Sequence, residues 1–406
     1  MKKLSFLIAA VLLIAGIFIL GEVVTARING VVPVENENVI PIVDAPATDL
    51  PLPEEPVPVP EDTIVTLIAA GDIMFHNPQV VSAKAEDGSY DFSAPFQYLR
   101  GHLQGVDLAI ANLETVIAGE GETPRGYPRF RSPKEVLDGI KEAGFDILVT
   151  ANNHSADMGR DGIIRTIEEL EKRQLEYIGT SRGEKRDYII KEVKGVKIGI
   201  LSYTFGLNGL ESLLTPEELQ NMVNLIDAES ISTSIAEARM NGAEVIIVYL
   251  HWGHEYLRDA SDEQRSLAEF LSENGADLIL GSHPHVIQEM ETISVEGKDI
   301  PVVYSMGNLL SNQRYETMGV SYTEDGLLVS IRIVKKWDTG EVLIEPPAPI
   351  PTWVYRWSTG NGKYAYRVLP VEDVLSGKLG LELPPETTLR IRKSLDETMD
   401  TLEGSN

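Results

Sequence analysis

The sequence predicts an α/β fold, and two observations carry that reading. Short continuous apolar runs recur along the chain, too short for helices and without the polar alternation of a half-exposed strand. They read as strands buried on both faces. Between them lie amphipathic segments with helix start and stop signals, an alternation that sets helices against a largely parallel sheet.

The runs, taken in order, are Thr63 to Asp72, Val106 to Glu114, Phe145 to His154, Lys197 to Phe205, Glu244 to Gly253, Ala276 to His285 and Pro301 to Asn308. Helical patterns separate them. In "SPKEVLDGIKEAG", Ser132 is the expected N-cap, Pro133 opens the first turn, Glu135 closes a capping box and Gly144 stops the helix. Ser261, Gln264 and Gly275 repeat the device, and further helices fit Gly162 to Gln174 and Ala228 to Asn241. Gly326 to Trp337 with the following "EVLIEP" reads as a closing hairpin. Beyond Pro346 the chain contains Pro and Trp and ends in a polar helical segment from about Pro384.

Ahead of the first strand the texture differs. Lys2 and Lys3 precede an apolar run from Leu4 to Leu20, an export signal longer than a typical cleaved core and at the short end of a bilayer span. The expectation is an uncleaved signal anchor over 1–26, with Val24-Thr25-Ala26 as the alternative cleavage site. A Pro- and Glu-rich linker follows over 27–62, then the main domain over 63–345 and a C-terminal extension over 346–406 that packs on it. The folded part would then be extracellular, held at the cell membrane by a single pass.

Composition removes several functions. The chain of 406 residues has no cysteine, which excludes disulfides, thiolate metal sites and cysteine nucleophiles. Its formal net charge is -27, with 62 acidic against 35 basic residues. That balance argues against a nucleic-acid partner, which requires phosphate neutralisation.

The polar residues of interest stand where apolar runs stop, and ligands of open α/β sheets bind at the carboxyl ends of strands. Five of the seven histidines fall in three such places, at His154, at His251 and His254, and at His283 and His285. With Asp72, Glu114 and Asn153 they form a set of imidazole, carboxylate and amide donors. The set suits zinc, manganese or iron. One bridging carboxylate plus several single ligands can hold two ions ~3.5–4 Å apart. Taken singly, an Asp or Asn after a strand is more often a turn or cap residue.

The motifs "GD" at Gly71-Asp72, "NLE" at Asn112 to Glu114, "NNHSADMG" at Asn152 to Gly159, "HWGHEY" at His251 to Tyr256, "GSHPHVIQ" at Gly281 to Gln288 and "YSMGN" at Tyr304 to Asn308 together resemble the CapA-type capsule-synthesis proteins. That family belongs to the calcineurin-like metallophosphatase superfamily. The resemblance spans roughly Thr63 to Trp337 and keeps the motif order. It implies a four-layer α/β/β/α sandwich of metallophosphatase type with a metal site at the strand ends. It implies Asp72, Glu114, Asn153, His251, His283 and His285 as ligands of one or two divalent ions, with Glu114 bridging and His154 as the catalytic acid. Where the wider superfamily has a histidine two residues after the first aspartate, this chain has Met74, and the nearest histidine is His76. One ion position is therefore expected to lack a nitrogen ligand, to bind weakly, or to use His76.

"TPRGYPRFRSP" places Arg125, Arg129 and Arg131 together in an acidic chain. Guanidinium forks fit carboxylates and phosphates, so these arginines, with Glu255 beside the histidines, are the expected substrate contacts. The resemblance points to poly-γ-glutamate as the anionic polymer partner, with subunits of a membrane synthase as possible companions. The alternatives are an extracellular metal-dependent phosphoesterase and a non-catalytic polymer-binding subunit.

Overall fold

The structure, a computed structural model, describes residues 61–404. The expected anchor and almost all of the linker lie outside them. No helix among the described residues is long and apolar enough to cross a membrane.

In chain order the strands are β1 (Thr63–Ile73), β2 (Leu108–Leu113), β3 (Val116–Ile117), β4 (Arg131–Ser132), β5 (Ile147–Val149), β6 (Glu176–Ile178), β7 (Tyr188–Val193), β8 (Val196–Thr204), β9 (Val245–His251), β10 (Leu278–Ser282), β11 (Met290–Val295), β12 (Lys298–Val303), β13 (Asn308–Leu310), β14 (Asp325–Lys335), β15 (Val342–Ile344), β16 (Ala348–Gly360) and β17 (Lys363–Pro370). One sheet runs β17-β16-β14-β1-β2-β5-β6, with β13 beside β1 and β15 beside β14. A second runs β11-β12-β10-β9-β8-β7. Strands β1, β2, β5 and β6 are mutually parallel, as are β8, β9, β10 and β12.

The apolar runs are continuous because both faces of each sheet are covered. Leu67 and Ala69 of β1 meet Ile200, Ile247 and Leu280 in a core between the sheets. Ile68 and Ala70, one residue over, face outward onto Leu99, Val136 and Ile140 from helices on the far side. On the second sheet Ile246, Val248 and Ile279 face Ile231, Ile235, Ala268 and Leu271 of two more helices. The layers are therefore helix, sheet, sheet, helix, and the period of two along each strand sorts the side chains between them. Truncating a wholly buried Ile such as Ile247 removes about 2–5 kcal/mol.

Two differences from the sequence reading have physical causes. Ser132 is not a helix cap. It lies in β4 with its Oγ 2.8 Å from Thr115 Oγ1, and the helix starts at Val136, with Glu135 in the N-cap position but making no side-chain cap bond. The stop at Gly144 stands, with φ 114°. Ser261 does cap Asp262–Glu273, accepting from Gln264 N and receiving the Gln264 side chain in return. Finally, β16 and β17 complete the first sheet rather than packing on it as an addition. β16 pairs antiparallel with β14 even at Pro349 and Pro351, so the boundary expected at 345 falls inside the sheet. The helix Pro385–Leu402 then covers Trp353, Leu369 and Val371.

Candidate metal centre

Parallel strands of both sheets deliver the polar residues to one rim. Asp72 lies near the end of β1, Glu114 just after β2, and Asn153 with His154 beyond β5. His251 ends β9, while His283 and His285 follow β10. Two glycines allow the backbones to close up there. A Cβ on Gly71 would sit 2.0 Å from Gly307 O, and one on Gly281 would sit 1.9 Å from Tyr304 O. The turn around Pro284 is strained, with φ 100° at His283 and 59° at His285. Such left-handed backbone in a histidine persists only where the surroundings enforce it.

The cluster is almost completely buried. Asp72, Glu114, Asn153 and His251 have no exposed surface, and His283 and His285 have almost none. His285 Nδ1 is 3.1 Å from Asp72 Oδ2, and the opposite ring nitrogen, Nε2, is 3.8 Å from Glu114 Oε1. His251 Nε2 is also 3.8 Å from Glu114 Oε1, and 3.1 Å from Asn153 Oδ1. The other nitrogen of His251 meets Ser282 Oγ at 2.9 Å. Asn112 Nδ2 donates to Asp72 Oδ1 at 2.8 Å, and Asn152 Nδ2 donates to Asn112 Oδ1 at 3.0 Å. Among the described residues, Asp72, Glu114 and His285 offer donor atoms that all lie within 4.8 Å of one another.

Glu114 Oε1 has no hydrogen-bond partner. A buried carboxylate oxygen left bare is costly, and this one stands between two imidazole nitrogens. The donor set and the bare oxygen both fit a divalent cation. Burial, and then the neighbouring charge of Asp72, hold the Glu114 carboxyl well above the usual range. Burial also pushes Asp72 upward, but the bond to and charge of His285, with the Asn112 amide, bring it below its ordinary value. Burial first, then the neighbouring imidazoles, holds His251 well below the ordinary histidine value and brings His283 to about 3. Both rings are neutral at physiological pH and keep a lone pair for a metal.

His154 sits beside this group with its Nδ1 2.8 Å from Asp157 Oδ2. Asp157 has no exposed surface and also accepts from Phe130 N at 2.5 Å. The sequence reading did not single out Asp157, although its spacing of three from His154 was there to be seen. Asn112 and Asn152 were likewise passed over, being common turn residues by type. His76 is not part of the donor group. Its Nδ1 accepts from Asn312 N at 3.3 Å, and its ring packs edge-on against Phe130, 5.1 Å away between centroids. Met74 is buried in the apolar interior.

The three arginines do not form one clamp. Arg129 is turned onto the backbone, its Nε donating to Asp157 O at 2.6 Å, so it braces the loop that holds His154. Arg131 donates to Thr123 O at 2.9 Å and lies 3.8 Å from Glu122. Both guanidiniums are only partly exposed and are held by backbone carbonyls, so neither points freely outward. Arg125 is exposed on the same loop, as is Glu255 on the histidine side of the rim. Phe205 closes that side with its ring 4.5 Å from His283. Beyond it, Phe205, Ile226, Trp252 and Leu267 line a largely apolar cavity of about 410 Å³.

Residues 66–313 match the model of the bacterial capsule synthesis protein family PGA_cap. The chain belongs to this family. It is 28% identical over 351 residues to the PGA biosynthesis protein CapA of Bacillus subtilis, covering 81% of this chain and 85% of that one. It is also 28% identical over 290 residues to the capsule biosynthesis protein CapA of Bacillus anthracis, covering 68% and 66%. Among solved structures it is similar to the calcineurin-like phosphoesterase YfkN of Bacillus subtilis, at 15% identity and a TM-score of 0.41, over 84% of this chain and 99% of that one.

Proposed function

We propose that this member of the capsule-synthesis family binds at least one divalent cation at the strand ends and cleaves or releases poly-γ-glutamate outside the cell. The observation that carries the reading is Glu114 Oε1, bare and buried, 3.8 Å from both His251 Nε2 and His285 Nε2. The remaining donors are Asp72, Asn153 and His283. A bound cation supplies Lewis acidity, lowering the pKa of a water and drawing charge from a carbonyl or phosphoryl oxygen.

The other residues of the site have separable tasks. Asp157 orients the His154 ring through Nδ1, which leaves Nε2 as the atom that hands a proton to a leaving nitrogen or oxygen. Arg129 holds the Asp157 segment in place through its carbonyl. Arg125, exposed at the rim, is the guanidinium free to meet polymer carboxylates. The apolar run at the N-terminus would keep the domain at the outer face of the membrane. Protease shaving of intact cells that left the chain undigested would remove that placement.

A second reading has one observation in its favour. Met74 stands where the wider superfamily carries a histidine, and His76 is turned to Asn312. The side of the centre next to Asp72 is thus poorer in nitrogen. On that reading the cation helps to hold polymer for a membrane synthase and no bond is cut.

The discriminating experiment uses the full-length chain with manganese or zinc, poly-γ-glutamate and an activated phosphodiester, beside His154→Ala. Metal-dependent shortening of the polymer, lost in the variant, is the expected result. Ester cleavage with intact polymer would make the protein a phosphoesterase. Polymer binding without any cleavage would favour the second reading.

A further inference from the structure

The loop after β8 makes a contact that neither the motifs nor the strand ends require. Asn208 is exposed, yet its side chain is aimed at a buried partner, and Asn153 Nδ2 donates to Asn208 Oδ1 at 3.3 Å. An exposed amide satisfies itself with water, so this aim calls for a reason.

The two ends of an Asn amide differ only in which atom sits where. If Asn153 were turned over, its oxygen would face Asn208 Oδ1 and its NH₂ would face His251 Nε2. With Asn208 keeping its oxygen inward, the bond matches only the orientation observed, with Asn153 Oδ1 3.1 Å from His251 Nε2. Among the described residues, the other hydrogen-bond partner of Asn153 Nδ2 is His283 Nδ1 at 3.5 Å, the limit of a hydrogen bond.

The loop is shaped for the task. Asn208 has φ 54° and Gly209 has φ 75°, left-handed values that Asn and Gly adopt most readily. Leu207 is fully buried and its N–H donates to Glu211 Oε1 at 2.9 Å, which fixes the base of the turn. Phe205, on the same loop, packs its ring against His283.

We propose that Asn208 is a positioning residue for the metal centre, keeping the Asn153 carbonyl oxygen turned toward the cation. The inference rests on the metal-binding reading above. Two substitutions separate it from a merely structural role. Asn208→Gly keeps the left-handed backbone and removes the oxygen. Asn208→Asp keeps the acceptor and has no N–H to offer in its place.

The test is calorimetric titration of the full-length chain with Mn²⁺, together with the visible spectrum of the Co²⁺-loaded protein. Asn208→Gly should weaken Mn²⁺ binding about 10-fold, the lower end for residues that orient a ligand, and change the Co²⁺ spectrum. Asn208→Asp should bind at least as tightly as wild type and keep its spectrum. Wild-type affinity in Asn208→Gly, or an Asn208→Asp variant as weak as the Gly one, would overturn the role of Asn208 alone. A wild-type chain that binds neither ion would overturn the metal reading and this inference together.

Discussion

Among the regions that bury carboxylates, two differ most clearly in where the compensating charge comes from. Behind β14, Glu324 and Asp325 are each met by an arginine. Arg314 Nη2 is 3.2 Å from Glu324 Oε2, and Arg390 Nη2 donates to Asp325 Oδ1 at 2.9 Å. Trp353 Nε1 and Ser394 Oγ add further donors. At the strand ends, Asp72 and Glu114 have only imidazoles as ion-pair partners among the described residues. The first region supplies its own cations and is architecture, tying the last helix to the sheet. The second leaves Glu114 Oε1 without a partner, and the proposed cation site rests on that oxygen. A buried acid is informative about function to the extent that its own chain fails to neutralise it.

The largest expected effect breaks the self-neutralised region. Arg314→Ala removes the nearer of two guanidiniums from Glu324, which is nearly fully buried, and leaves Arg390 Nε at 3.8 Å; urea denaturation should register a loss of about 3 kcal/mol. Glu114→Gln should behave in the opposite way. It replaces an acid that burial and the charge of Asp72 already push toward its neutral form, so metal-free stability should hold or rise. A large loss in metal-free Glu114→Gln would erase the contrast.

Next in size is a pH effect. Burial, only partly offset by Arg390, raises the Asp325 carboxyl to about 6. The folded state therefore holds a proton that the unfolded chain releases near 4. That contribution to stability is full below about pH 4 and is lost as pH rises through 6, up to about 3 kcal/mol in all. Asp325→Asn should flatten this part of the stability profile, and an unchanged slope would show that Asp325 is not its source.

Metal linkage follows. At a free cation concentration of 100 times Kd, the loaded wild-type chain should be more stable by about 2.7 kcal/mol, and a chelator should remove that gain. Glu114→Gln should show no such shift. The smallest effect concerns the arginine loop. Arg125→Ala should weaken binding to poly-γ-glutamate by about 1 kcal/mol or less, most clearly at low salt. Arg131→Ala should leave polymer binding alone, since its guanidinium is committed to Thr123 O.

Much of this organisation was legible in the residues. Asp72, Glu114, His251 and His285 each end an apolar run, and parallel strands must bring such ends to one edge. What was not legible depended on direction. Nothing in "RGYPRFR" distinguishes Arg125, left facing solvent, from Arg129, bent back onto a carbonyl. Strands β16 and β17 were hidden because Pro349 and Pro351 ordinarily argue against a strand. Both prolines are nonetheless seated opposite Val329 and Leu327 of β14. Asp157 was visible by spacing alone, but its importance lies in its burial, which spacing does not report.

The most direct test of the account is the metal content of the purified full-length chain after incubation with manganese or zinc and desalting, wild type beside Glu114→Gln. At least one equivalent in the wild type and none in the variant is the expected result. Equal metal in both, or none in either, would contradict the claim that the uncompensated charge at the strand ends marks a cation site.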